Sequence, residues 1–388
     1  MEVYVAAHNL LPAAAAGRRR CEGASMRIRS SVLLATGVAG ALLVSSCGSS
    51  DPGASSTEGG ESSSSAAEVG VILPDTKSSA RWESFDRPLL EKAFEDAGVE
   101  ADIQNAQGDA SNMQTIADQM LTQGVKVLAI VNLDSDSGAA IQAKAKKQGV
   151  QTIDYDRLTL GGSADYYVSF DNTKVGEQQG QGLAQCLGAG DKNIVYLNGS
   201  PTDNNAGMFS AGAHSVLDPM TNYKVVAEQS VPDWDNQQAA TIFEQMLTQQ
   251  GGKIDGVLAA NDGLGNAAIS ILAKNGLAGT VPVTGQDATT QGLQNVLAKT
   301  QCMTVYKPVD EEAKALSDIA IALIKGEEPK TTGTAEDTTG GREVKSILLE
   351  PQLITRDKVK SVVDAGFVEA AELCTGEFAA ACTELGIS

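Results

Sequence analysis

From Glu68 onward the chain alternates, with hardly a break, between short runs of Val, Ile and Leu and polar helical stretches that end in glycine. Val69 to Leu73, Val99 to Gln104, Val125 to Val131, Val150 to Asp154 and Asp165 to Phe170 are the apolar runs of the first half. Trp82 to Ala97, Ala110 to Gln123 and Ser135 to Gln148 are the helical stretches, closed by Gly98, Gly124 and Gly149. Strands without polar alternation are buried on both faces, and helices between them make βαβ units, so the pattern predicts a parallel sheet covered on both sides. A second series follows, with strands at Asn193 to Leu197, Tyr223 to Gln229, Ile254 to Ala260, Val281 to Gly285 and Cys302 to Tyr306. Its helices start near Lys174, Asn204, Asn236, Gly263 and Thr290, the last running to about Lys299. Two doubly wound α/β halves in one chain predict two lobes with a cleft between facing strand ends. Thr331 to Gly341 reads as a loop or hairpin, Arg342 to Leu349 as one more strand, and Arg356 to Ser388 as a mainly helical tail.

The segment ahead of this body reads differently. Arg27 and Arg29 precede a short apolar run, Ser31 to Val44, and then Leu43-Val-Ser-Ser-Cys47. A positive flank, a short apolar core and small residues describe a secretory signal. The core is too short for a comfortable membrane span. Its end resembles a bacterial lipobox, which implies a lipid on Cys47 and a mature chain that is anchored and not spanning. Residues 1–46 are thus expected to be a signal peptide behind an N-terminal extension, with translation starting at Met26. A native peptide spanning Arg20 to Met26 would contradict that start. Residues 47–67, nearly all Ser, Gly, Ala, Glu and Pro, form a flexible tether. Export permits disulfides. Cys374 and Cys382, eight apart, are the expected pair, and Cys186 with Cys302 the pair left by elimination. No Cys-x-x-Cys and no His cluster points to a metal, and no cofactor is expected.

The net charge of −20 argues against nucleic acid, whose binding needs clustered Lys and Arg. His214 is the one histidine of the body and lies within a helical stretch, which leaves little for a catalytic triad. An enzyme is not expected.

Unusual side chains collect at the strand ends, where open α/β sheets bind their ligands. They are Arg81-Trp82, Asp156-Arg157, Asp203-Asn204-Asn205, Trp234, Asn261-Asp262, Gln286-Asp287 and Lys307. Each has an ordinary explanation as a helix N-cap, an ion pair or a core residue. Their recurrence in both halves favours a pocket for a neutral sugar. Flat rings would cover its C–H faces, and carboxylates, amides and guanidinium groups would take its hydroxyls in pairs.

The runs Ser78-Ser-Ala-Arg-Trp82, Tyr155-Asp-Arg157, Ser169-Phe-Asp-Asn172 and Gly199-Ser-Pro-Thr-Asp-Asn-Asn205 occur in order. Asn261-Asp262, Gly285-Gln-Asp287 and Met303-Thr-Val-Tyr-Lys-Pro308 complete the set. Together they resemble the xylose-binding branch of the ribose/galactose-type periplasmic binding family of bacterial ABC transporters, over roughly Val69 to Gly366. The resemblance implies a type I fold: two Rossmann-like lobes joined by a three-crossing hinge, closing on one monosaccharide. Residues 68–170 with 307–349 would form the N-terminal lobe, and 171–306 with 350–388 the C-terminal lobe and tail. The crossings would fall near Phe170-Asp171, Tyr306-Lys307 and Leu349-Glu350.

It further implies that Trp82 and Trp234 stack on the sugar. Arg81, Asp156, Arg157, Asp203, Asn205, Asn261, Asp287 and Lys307 would hydrogen-bond its hydroxyls and ring oxygen. The pattern is weakest at Val231-Pro-Asp-Trp-Asp, and the tail beyond Phe367 lies outside it. D-xylose is favoured over glucose, galactose or arabinose, the partner is an ABC permease, and the protein is expected to be a monomer. A sugar receptor serving a membrane sensor is the alternative.

Overall fold

The computed structural model describes residues 67–388; the signal, Cys47 and nearly all of the tether lie outside the described residues. The first series of elements is β1 (Val69–Leu73), α1 (Arg87–Ala97), β2 (Ala101–Asn105), α2 (Ala110–Gln123), β3 (Val127–Ile130), α3 (Ser135–Lys147), β4 (Gln151–Tyr155) and β5 (Tyr166–Phe170). The second is α4 (Asn172–Leu187), β6 (Lys192–Asn198), α5 (Asn204–Leu217), β7 (Tyr223–Ser230), α6 (Asn236–Gln249), β8 (Gly256–Ala259), α7 (Asp262–Lys274), α8 (Thr290–Leu297) and β9 (Thr304–Tyr306). There follow α9 (Val309–Ile324), β10 (Gly333–Asp337), β11 (Arg342–Leu349), β12 (Gln352–Ile354) and α10 (Val359–Asp364).

Local signals set the helix ends. The Asp109 carboxylate accepts from the amides of Ser111 and Asn112 at the start of α2, and Gly98 and Gly124 close α1 and α2 in the left-handed conformation. An L side chain would be strained there, which is why glycine punctuates the pattern.

One sheet runs β10-β11-β5-β4-β3-β1-β2, parallel throughout except for the β10–β11 hairpin. β1, β3 and β5 are buried at every residue, as strands covered on both faces must be. A second parallel sheet runs β7-β6-β8, and β9 pairs antiparallel with β12. The chain leaves the large sheet after Phe170, returns to it through Tyr306 and α9, and leaves again after Leu349. Each sheet has its own apolar core. Val71, Leu73, Phe94, Val168 and Leu316 belong to one, and Val195, Phe243, Val257, Leu264 and Leu272 to the other. Every such fully buried side chain contributes about 1.5–3 kcal/mol of transfer free energy.

Three expected elements differ. Val281 to Gly285 is not a strand: it makes two isolated parallel bridges, Val257 to Val283 and Ala278 to Val281, and no ladder. Pro282 has no amide proton to give a ladder, and the Thr284 hydroxyl bonds both the amide (2.9 Å) and the carbonyl (3.0 Å) of Ala259 in place of backbone pairing. The helix expected from Trp82 opens as a π-helical turn, Trp82–Asp86, before α1. The last turn of the helix expected to reach Lys299 is also shorter, since α8 ends at Leu297.

Cys186 is bonded to Cys302 and Cys374 to Cys382, with Cα–Cα separations of 6.4 and 5.8 Å. The tail packs Val359, Val362, Leu373 and Ile387 against Leu293 and Leu297 of α8. Its Phe367 stacks on Phe85 of the π-helical turn at 4.7 Å between ring centres.

Candidate functional site

The C-terminal ends of the two sheets face each other across a tightly closed cavity of about 30 Å³. All ten residues singled out in the sequence line it. Gln286, one of the strand-end residues, lines it too, and so do Ser78, Ser79 and Phe209, to which the sequence assigned no ligand role. A larger groove nearby, bordered by Asp134, Thr202, His214 and Glu228, has no Trp, Lys or Arg in its walls.

Three of the ten hold unusual backbone conformations, with φ at 61° for Asp156, 55° for Trp234 and 93° for Asp287. Non-glycine residues at positive φ cost of order 1–3 kcal/mol and persist where the surroundings over-determine them. Here they aim side chains inward from the turns that follow β4, β7 and the Val283 bridge. Gly199 lies against the Trp234 ring, where a Cβ would come within 2.0 Å of it, and a Cβ on Gly285 would come within 2.1 Å of the Asp262 carboxylate. Asp262 ties the Gly285–Thr289 turn down: it accepts from the Thr289 amide (2.8 Å), Gln301 Nε2 (2.7 Å) and Thr304 Oγ1 (2.8 Å).

Two of the bland explanations hold together with the sharper one. Asp203 caps α5 through the Asn205 amide (2.9 Å), and Asn261 caps α7 through the Leu264 amide (2.9 Å). Each keeps a second polar atom for the cavity side. Asp203 Oδ2 meets Arg157 Nε at 3.0 Å and accepts from Trp234 Nε1 at 3.1 Å, while Asn261 Nδ2 donates to the Ser78 carbonyl at 3.3 Å.

The charges in the wall pair off. Arg81 Nη1 meets Asp156 Oδ2 at 2.9 Å, Arg157 meets Asp203, and Lys307 Nζ meets Asp287 Oδ1 at 3.0 Å. Three cations therefore face three carboxylates, and all six are buried or nearly so. Burial pushes the Asp156 carboxyl up, but Arg81, Lys307 and Arg157 more than offset this and hold it below its ordinary value. Burial raises Asp203, against the pull of Arg157. A cavity so balanced offers no net charge to an ion and many oriented donors and acceptors to a neutral polar ligand.

Several of these contacts join the two halves. Asn205 Nδ2 donates to the Asp156 carbonyl (2.9 Å) and carboxylate (3.1 Å) across the cleft, held from its own side by Asn172 Nδ2, which donates to Asn205 Oδ1 (3.0 Å). With Arg157–Asp203 and Asn261–Ser78 they describe a closed cleft. Both indole rings are fixed: Trp82 Nε1 donates to Ser78 Oγ (3.1 Å), and Arg81 lies 4.4 Å from the Trp82 ring centre. Phe209 packs edge-on to Trp234, 6.4 Å between centres. Among the described residues no group of three or more His, Cys, Asp or Glu is arranged to hold a metal ion.

The family described as periplasmic binding protein domain matches residues 69–328. The D-xylose-binding periplasmic protein of Escherichia coli strain K12 is 36% identical over 309 residues, 79% of this chain and 92% of that protein. The multiple sugar-binding periplasmic receptor ChvE of Rhizobium radiobacter is 33% identical over 79% of this chain and 92% of its own. An ABC transporter solute-binding protein from Clostridium phytofermentans, solved with bound β-D-glucose, superposes with a TM-score of 0.73 at 30% identity, covering 79% of this chain and 99% of that one.

Proposed function

Because the chain belongs to the periplasmic binding protein domain family, a family of type I fold whose members bind solutes and are not enzymes, we propose that it is an extracytoplasmic monosaccharide receptor. It takes D-xylose, closes on it and delivers it to an ABC permease in the membrane. The observation that carries this reading is the cavity itself: three ion pairs, two amides and two buried indole rings enclose a space with no net charge. Xylose is preferred to other aldoses because the E. coli relative that is 36% identical is named for it.

Closure follows from where the ligands sit. Arg81, Trp82, Asp156 and Arg157 come from the large-sheet side, Asp203, Asn205, Trp234, Asn261 and Asp287 from the other, and Lys307 from the connection between β9 and α9. A ligand shifts an open–closed equilibrium only by binding the two forms differently, so it must touch both sides. The lobes we assign are residues 68–170 with 307–349 and residues 171–306 with 350–388, and the protein acts as a monomer. A thermal-shift panel of pentoses and hexoses tests the ligand. D-xylose is expected to raise the melting temperature most, and a larger shift with glucose, galactose or arabinose would reassign the sugar.

Cys47 carries the lipid in this scheme, supported by the run Leu43-Val-Ser-Ser-Cys47 behind a positive flank. Labelled palmitate is expected to enter the wild-type chain and not Cys47→Ser; equal labelling of both would remove the anchor. The similarity to a protein named as a receptor supports one competing role, presentation of the sugar to a membrane sensor. A gene neighbourhood with a sensor kinase in place of permease and ATPase would favour it.

A further inference from the structure

Behind the cavity wall, Arg81 is gripped by three carboxylates. Its Nε donates to Asp86 Oδ2 (2.9 Å), its Nη2 to Asp86 Oδ1 (2.7 Å) and Glu312 Oε2 (2.5 Å), and its Nη1 to Asp156 Oδ2 (2.9 Å). A guanidinium has five N–H groups, so one Nη1 hydrogen is left for the cavity that Arg81 lines. Asp86 and Glu312 are wholly buried. Lys307 and Arg157 also act on Asp156, but Asp86 and Glu312 have Arg81 as their one bonded cation, and burying an uncompensated charge is expensive.

The three carboxylates are not equally served. Asp86 accepts two bonds from Arg81 and a third from the Tyr155 hydroxyl (2.5 Å). Asp156 accepts from Arg81 and from Asn205 Nδ2. Glu312 accepts one bond only, and its Oε1 has no partner among the described residues. The charged and titratable groups around Glu312 are Arg81, Asp86, Asp156, Tyr155 and Tyr167.

We propose that Glu312 is a positioning residue for the ligand site: it carries the cluster's proton on Oε1 while Oε2 holds Arg81 in place, and losing that proton weakens ligand binding. The inference rests on the sugar-binding reading of the cavity. Loss of the proton breaks the Oε1–H bond, sends H⁺ to water and leaves a third buried negative charge beside Asp156. The guanidinium is then drawn toward Glu312 and away from the cavity. Closing the cleft strips water from Arg81 and Asp156, so the extra charge costs more in the closed form than in the open one.

Burial, reinforced by Asp156 and Asp86 and opposed by Arg81, pushes the Glu312 carboxyl up to about 8. A raised value means the favourable state is fully present at low pH and is lost as pH rises through it. Affinity should therefore hold from pH 6 to 7 and fall above about pH 8 by up to roughly tenfold per pH unit, the limit for one linked proton.

The test is a calorimetric titration of the whole protein with D-xylose at pH 6 to 9.5, for wild type, Glu312→Gln and Glu312→Ala. In parallel, carboxyl-¹³C NMR of glutamate-labelled protein follows the residue directly, with its resonance assigned by its absence from Glu312→Gln, or from Glu312→Asp if the first variant does not fold. The expected outcome is an alkaline loss of affinity in wild type, no such slope in Glu312→Gln, weaker binding at every pH in Glu312→Ala, and a Glu312 resonance that titrates on the alkaline side. A flat wild-type profile, or a resonance titrating in the ordinary carboxylate range, overturns the proposal. Failure of every sugar to bind at any pH counts against the sugar reading instead, and the resonance alone then decides whether Glu312 holds the proton.

Discussion

Lys307→Ala and Asp287→Ala are each expected to weaken sugar binding by about 2–5 kcal/mol in titration calorimetry, with most of the loss in the dissociation rate. The two side chains meet at 3.0 Å and are each about one-tenth exposed or less. Removing either leaves the other charge buried without its counter-ion, which costs far more than the intact pair contributes. The double alanine variant should lose less than the sum of the single ones, because no charge is then stranded. Lys307 follows β9 directly and is fixed on its other side by Pro308 at the start of α9. Its loss therefore disturbs a ligand contact and one of the connections between the sheets together. Near wild-type affinity in both single variants would refute their assignment to the site.

The second large effect is on stability. Arg81→Met should destabilise the fold by about 3–5 kcal/mol at pH 8, the range found when one partner of a buried ion pair is removed. Asp86, Asp156 and Glu312 would then share a buried space without the one cation that bonds all three. Their folded-state values would rise above the unfolded ones, so the stability of the variant is retained below about pH 4 and lost as pH rises through the raised values. In the wild type the sign for Asp156 is opposite. Its value is depressed, so its contribution is present above the unfolded value and is lost as pH falls through the folded one. Urea unfolding at pH 5 and pH 8 should show a smaller penalty for Arg81→Met at pH 5. Equal penalties would mean that the carboxylates are not what Arg81 holds in check.

The cavity wall was legible because strand ends are read from apolar runs, and residues just past them converge by topology. The support behind the wall was overlooked, although a signal for it exists. Glu312 stands in Asp310-Glu311-Glu312, which looks like a solvated acidic first turn. Yet it falls three residues after Val309 and four before Leu316, on the buried face of α9. Asp86 lies four after Trp82 and four before Leu90, again on the apolar stripe. A carboxylate at a core position of an amphipathic helix needs a buried cation, and Arg81 was the one nearby. Phe209 was missed for the opposite reason, since an aromatic residue inside a helix has a core role by default. The Val281 to Gly285 strand was over-read because apolar pattern alone does not count the amide that Pro282 lacks.

The chain contains two tryptophans, and Trp82 and Trp234 both line the cavity. One has a guanidinium over its ring, and the other has a carboxylate on its indole nitrogen. The protein thus carries a pair of indole fluorophores and no other tryptophan, so excitation on the red edge, beyond the seven tyrosines, selects them. Any change in its indole emission reports from the cleft, so opening, closing and ligand exchange can be followed in solution without a label.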